Sequence, residues 1–140
     1  MLLEMLLVIA ITDGDTIKVL SNDNEHLKIR LAGIDAPERK QPFGTKSKIM
    51  LADLIGNERV NLDCPDKDRY GRLICDISLT DGTDINLSMV ANGGAWVYSA
   101  YNNDIDYIHT EEEAKANKLG LWGASEYQII EPWLWRKQNR

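Results

Sequence analysis

Arg59-Val60-Asn61-Leu62-Asp63-Cys64 and Arg72-Leu73-Ile74-Cys75-Asp76-Ile77-Ser78-Leu79 decide the fold. Both stretches alternate apolar and polar residues with the period of two expected of a half-buried strand. Antiparallel pairing of Cys64 with Cys75 sets Leu62 opposite Ile77 and Val60 opposite Leu79. One register thus places three apolar pairs on one face and predicts a hairpin. Asp81-Gly82 closes the second strand with turn chemistry.

The same alternation appears upstream. Leu6 to Ile11 reads as a first strand. The segment lacks a basic leader and carries Glu4 nearby, which speaks against a signal peptide. In Thr16 to Leu20, Ile17 and Val19 face opposite to Lys18. In His26 to Leu31, Leu27, Ile29 and Leu31 share a side, and Ser21-Asn22-Asp23-Asn24 joins the two strands as a hairpin turn. Three helices are expected. Phe43 to Ile55 has an apolar face of Ile49, Met50, Leu54 and Ile55. Ile85 to Ala91 is capped by Asp84 and stopped at Asn92-Gly93-Gly94. Tyr107 to Leu119 runs from glutamates to lysines, which suits the helix dipole. Ala95 to Tyr98 reads as a short strand. The pattern predicts an α+β fold, a small antiparallel barrel with helices packed on it, in one domain spanning residues 1–140.

Bulk numbers agree with a folded chain. Its 140 residues suffice for one core, and hydrophobic residues make up 44%. Nothing approaches a membrane span. Sixteen basic against 22 acidic residues give a net charge of −6, which by itself argues against a nucleic-acid binder.

Three segments carry candidate chemistry. Asp13-Gly14-Asp15-Thr16 offers two carboxylates two residues apart, which on extended chain point the same way. Hard cations such as calcium take oxygen ligands of this kind, although Asp-Gly is also a common plain turn. Arg30-Leu31-Ala32-Gly33-Ile34-Asp35-Ala36-Pro37-Glu38 brings a cation, a metal ligand and a candidate base within nine residues. Asp68-Arg69-Tyr70-Gly71-Arg72 sits between paired strands and offers two guanidinium groups that match phosphate oxygens. Each alone could be a solvated turn.

Together and in this order, the three segments resemble the staphylococcal nuclease family. Asn86-Leu87-Ser88-Met89-Val90, Gly94-Ala95-Trp96-Val97-Tyr98 and Asn117-Lys118-Leu119-Gly120-Leu121-Trp122 fit it as well. The resemblance covers about Val8 to Trp122, and Pro132-Trp133-Leu134-Trp135-Arg136 looks like the tail of bacterial homologues, within an aromatic and basic stretch over residues 123–140. It implies an OB-type five-stranded barrel with three helices and a calcium-dependent endonuclease that cuts DNA or RNA non-specifically and leaves 3′-phosphates. Asp15 and Asp35 would ligate one calcium through side chains, and Ala36 through its carbonyl. Glu38 would hold or deprotonate the attacking water, and Arg30 and Arg72 would clamp the phosphate. Tyr70 and Tyr98 would contact the substrate nucleotide, and Arg69 would stand beside its terminal phosphate. Apart from the resemblance, the four tryptophans read as packing residues, with Trp96 the best candidate among them for a substrate contact.

Two departures stand out: Ala36 replaces the Thr of the best-known family member, and the net charge is acidic where that enzyme is basic. A monomer is expected, and the hazard of a free nuclease in the cytoplasm points to export. Cys64 and Cys75 share the core face of their hairpin; two cysteines are few for a disulfide scaffold, so buried thiols are expected over a bridge. The rival reading is a non-catalytic OB module that binds nucleic acid or protein. Such modules lose catalytic residues, whereas Asp15, Arg30, Asp35, Glu38 and Arg72 are all present.

Overall fold

The computed structural model describes residues 1–125 and 129–140. Five strands close into a barrel: β1 (Leu2–Asp13), β2 (Thr16–Leu20), β3 (His26–Leu31), β5 (Arg59–Lys67) and β6 (Leu73–Leu79). Their order around it is β1-β2-β3-β6-β5, with β5 returning to β1. All neighbours are antiparallel except β3 and β6, which run parallel. This is the OB-type α+β architecture expected.

The hairpin register holds. Val60 faces Leu79 and Leu62 faces Ile77, and all but the partly buried Leu79 are shut inside. The cysteine expectation needs correction. Cys64 and Cys75 form a disulfide, with their Cα atoms 4.1 Å apart. They meet where the ladder slips between Asp63 and Asp66, and two core-facing thiols so close are within bridging distance.

β1 is longer than its sequence suggested because it pairs with two neighbours. Leu2 and Leu3 meet Asp63 and Leu62 of β5, while Leu7 and Val8 meet Leu20 and Val19 of β2. Met5 adopts a positive φ of 60° between Leu3 and Leu6, where the pairing shifts, and so breaks the alternation that marks a strand.

Outside the barrel lie α1 (Gly44–Ile55), α2 (Ile85–Ala91), α3 (Ile105–Ala116) and α4 (Pro132–Gln138). The fourth helix adds to the three expected; it falls in the aromatic and basic tail, where Pro132 takes the first helical turn. A 3-10 turn over Gly120–Gly123 ends the α3 region. Asp84 caps α2 as predicted, its side chain accepting from the Leu87 amide. The face of α1 is corrected in part: Ile55 is buried and Met50 and Leu54 pack against the core as expected, Ser47 and Leu51 are buried with them, and Ile49 is instead 52% exposed. A polar residue leads that face because the Ser47 hydroxyl donates to the Gly94 carbonyl at 2.7 Å. Among the described residues no helix is long and apolar enough to cross a membrane.

Two features position the site. A two-stranded ribbon pairs β4 (Ile34–Asp35) with β7 (Trp96–Val97), setting Asp35 opposite Trp96. Asn86, fully buried on α2, accepts from the Ile77 amide at 3.0 Å and donates to the carbonyls of Ala32 and Cys75 at 2.9 and 3.1 Å. One side chain therefore ties α2 to β6 and to the connection that leads into β4.

Asn86→Ala leaves the Ile77 amide buried and unpaired and should cost about 2 to 3 kcal/mol of stability. Urea unfolding checks this; a loss under about 0.5 kcal/mol, typical of a surface change, contradicts the assigned role.

Candidate active site

The turn between β1 and β2 sets the first carboxylate. A Cβ on Gly14 would stand 2.8 Å from the Cβ atoms of both Ala36 and Ser47, so only glycine lets this turn press against α1 and the chain after β4. Asp15 is thereby driven inside, 6% exposed. Its Oδ2 accepts from the Ala36 amide at 2.8 Å, and its Oδ1 accepts from the Thr16 hydroxyl at 3.0 Å. Asp13 and Asp15 flank a tight turn rather than sharing an extended chain, yet they still meet: the Asp15 amide donates to Asp13 Oδ1 at 3.0 Å.

Asp35, on β4, is fully buried. Two guanidinium groups reach it. Arg30 Nη2 lies 3.4 Å from Asp35 Oδ1 and 3.4 Å from Asp15 Oδ2, bridging the two acids. Arg136, from α4, donates through Nη2 to Asp35 Oδ2 at 2.7 Å and through Nη1 to Asp35 Oδ1 at 3.1 Å. The same Nη1 reaches Glu38 Oε1 at 2.8 Å. Glu38 is held from behind, its amide donating to Gln41 Oε1 at 3.1 Å. A side chain on Gly44 would collide with the Glu38 carbonyl, so the start of α1 also fixes this bend.

These contacts set the charges. Burial pushes the Asp13 carboxyl up to about 8, helped by repulsion from Asp15. Burial also opposes the charge on Asp15, but Arg30 and its hydrogen bonds win and hold it below the ordinary carboxylate range. Asp35 stays above its ordinary value because burial and the Asp15 charge outweigh Arg136 and Arg30. Its bonds to Asp35 and Glu38 drive the Arg136 guanidinium further toward its charged form, against the burial that opposes it.

The second arginine cluster stands at the tip between β5 and β6. Arg72 Nε donates to Asp68 Oδ2 at 2.6 Å, and Asp68 Oδ1 accepts from the Tyr70 and Arg72 amides. Arg69 lies over the Tyr70 ring and donates to its hydroxyl at 2.8 Å. Among the described residues, Arg72 pairs with Asp68 and not with the carboxylates of the first cluster. The parallel register nonetheless pairs Arg30 with Ile74, so alternation puts Arg72 on the same outer barrel face as Arg30.

The aromatic residues divide. Tyr98 meets Tyr101 edge-on and stacks flat on Trp133, with centroids 5.5 Å apart and planes at 4°. Trp96 is 4% exposed and packs edge-on against Trp122, so its ring serves packing rather than the open platform expected of a substrate contact. Arg136 and Trp133 were not legible as site residues. Their signal is the Pro132 helix start with the two side chains three residues apart, hence on one helical face.

The donors suit a hard divalent cation. Asp15 and Asp35 offer oxygen only and both reach one nitrogen of Arg30, so one small cation is within their common span. Among the described residues no three carboxylate, thiolate or imidazole groups already form a metal-holding cluster. The Arg136 guanidinium takes the place where Asp35 and Glu38 converge.

The structure is a closed OB-type barrel with buried carboxylates and arginines gathered on one side, and sequence comparison gives the family. The family model described as staphylococcal nuclease homologue matches residues 28–124. An uncharacterized endonuclease of Haemophilus influenzae (strain ATCC 51907 / DSM 11121 / KW20 / Rd) is 43% identical, over 95% of this chain and 73% of its own length. A micrococcal nuclease of Shigella flexneri is 39% identical, over 95% of this chain and 80% of its own. A probable staphylococcal-like nuclease of Oryza sativa subsp. japonica is 38% identical over 81% of this chain and 33% of its own. The chain belongs to the staphylococcal nuclease family.

The raised Asp13 has a stability consequence. Its folded value of about 8 lies above the ordinary 3.8, so the folded state holds a proton that the unfolded chain releases. Stability is therefore complete below pH 4 and falls as pH rises toward 8. Asp13→Asn removes this loss. In chelator, the melting temperature of the variant should gain on the parent steadily between pH 4 and 8; a pH-independent difference contradicts the assignment.

Proposed function

We propose that this chain is a calcium-dependent endonuclease that hydrolyses phosphodiester bonds of DNA or RNA with little sequence preference, leaving 3′-phosphates. The observation that carries the reading is the convergence of Asp15 and Asp35 on Arg30, and of Asp35 and Glu38 on Arg136, in a chain of this family, whose relatives include proteins named endonuclease and micrococcal nuclease.

Asp15 and Asp35 would hold the cation through their carboxylates, and Ala36 through its carbonyl. The ion, when bound, supplies positive charge against the phosphate oxygens. Arg30 leaves its long, 3.4 Å contacts with the acids and turns to the phosphate. Arg72 joins it from the same barrel face. Two guanidinium groups aimed at equatorial oxygens stabilise the added charge of the transition state more than the substrate's own. Glu38, one-third exposed, is the carboxylate with access to water, and it takes the proton of the attacking molecule. Tyr70 and Arg69 receive the neighbouring nucleotide, and Tyr98 offers a ring face. Trp96 is left out of this set because it is buried. The enzyme acts as a monomer.

The arginines gather near the proposed site while part of the acidic excess lies elsewhere. Arg30, Arg69, Arg72 and Arg136 sit at or beside the site, whereas Asp104, Asp106, Glu112 and Glu113 lie exposed at or on α3. Net repulsion still weakens long-range attraction to nucleic acid.

Plasmid and single-stranded DNA should be cut in calcium and spared in chelator, with magnesium supporting little turnover because it demands tighter octahedral geometry. Equal rates in the two metals count against the cation site.

Glu38→Gln should keep much of the calcium affinity and lose about 10²- to 10⁴-fold in rate. A flat pH–rate profile shared by parent and variant removes Glu38 from the mechanism. Arg72→Lys should also lose orders of magnitude in turnover, since lysine cannot reproduce the planar fork. Near-parental turnover in that variant refutes the clamp.

A further inference from the structure

Helix α4 brings two side chains into the site, and each matches one of the ligands proposed above. Arg136 places a positive charge on Asp35 and Glu38. Trp133 lays an aromatic ring parallel on Tyr98. A guanidinium satisfies two carboxylates much as a cation does, and an indole covers a tyrosine face much as a nucleobase does. We propose that α4 is an autoinhibitory strap: Arg136 occupies Asp35, one of the two cation-holding carboxylates, together with Glu38, the water-holding one, while Trp133 sits in the seat of the base, and both ligands must displace the strap. This rests on reading Asp15, Asp35 and Glu38 as the cation and water site.

The attachment of the strap fits such a device. Upstream of the helix, Gln41 Nε2 donates to the Ile130 carbonyl at 2.5 Å, with Gln41 and Pro132 buried. This anchor lies on the segment that follows Glu38, so the strap remains beside the site when it opens. Beyond the anchor the hold is slight. The helix has seven residues, too few to be stable alone, and Leu134 is 41% exposed. Beside the buried Pro132, the contacts of Trp133 and Arg136 hold the helix against the site.

The consequence is a competition within one chain. A tethered group acts at high effective concentration, so the fork of Arg136 onto Asp35 and Glu38 and one ring contact suffice to close the strap. If it is closed nine-tenths of the time, apparent calcium affinity falls about tenfold, in proportion to the open fraction. Arg136 also keeps Glu38 from accepting a proton while closed. Calcium and nucleic acid displace opposite ends of one helix, so each assists the other.

Calcium titration by calorimetry on the parent, Arg136→Gln, Trp133→Ala and Asp35→Asn tests this, together with backbone hydrogen exchange of the parent with and without calcium. Arg136→Gln should bind calcium about tenfold tighter than the parent, and Trp133→Ala tighter by a smaller factor. Calcium should speed exchange across residues 132–138 in the parent, which separates displacement from the mere loss of a nearby positive charge. Parental or weaker affinity in both variants overturns the strap, as does exchange over 132–138 that calcium leaves unchanged or slows. Should Arg136→Gln fail to fold, Trp133→Ala and the parental exchange still decide. Asp35→Asn reports on the underlying site separately: parental calcium affinity there, or no calcium binding by any of the proteins, refutes the site and the strap with it.

Discussion

Two carboxylates removed from water govern this structure. Burying an unpaired carboxylate costs several kcal/mol, so Asp15 and Asp35 persist only because the fold brings donors and cations to them. Arg30 bridges both acids, the Ala36 amide and the Thr16 hydroxyl hold Asp15, and Arg136 forks onto Asp35. Asp13 has no such cation and takes up a proton instead. The acidic cluster is therefore a place where negative charge exceeds what the chain's own groups neutralise comfortably. That imbalance is the condition a hard cation relieves.

Holding this cluster together is the task of the barrel and its attachments. The β1–β2 turn delivers Asp15, β3 delivers Arg30, and the β4–β7 ribbon fixes Asp35 beside the segment that carries Tyr98. The parallel pairing of β3 with β6 is the long-range contact that brings Arg72 to the face of Arg30. Gly14 and Gly44 allow backbone approaches that any side chain would block. Asn86 secures the connection between β3 and β4 from behind. The Asp15, Arg30, Asp35 and Glu38 side chains thus come from separate parts of one rigid frame, with no long flexible loop between them.

Much of this was legible in the chain. Alternation revealed the β5–β6 register, and Asp84 marked the start of α2, because strand period and capping are local properties. Asp15, Arg30, Asp35 and Glu38 were named from short motifs, and the fold does assemble them. Other features escaped for physical reasons. Part of the face of α1 was misjudged because the Gly94 carbonyl takes Ser47 into the interior, and no helical periodicity reveals such a partner. Packing was expected of the tryptophans with Trp96 as the best exception, but exposure depends on what packs over a ring, and Trp122 packs there. The register already set Cys64 opposite Cys75, but whether the two thiols bond turned on a Cα separation of 4.1 Å that composition cannot show.

The sequence by itself determined the strand and helix pattern, the barrel class and the inventory of carboxylates and arginines, because periodicity, capping and ligand chemistry act within a few residues. Tertiary structure alone decided which cation each carboxylate meets. Arg136 lies 101 positions from Asp35 and 98 from Glu38, yet bonds both. Trp133 stacks on Tyr98 although the two are far apart in the chain. Electrostatic pairing depends on distance in space, and that distance is settled by the closing of the whole barrel and the docking of the last helix against it.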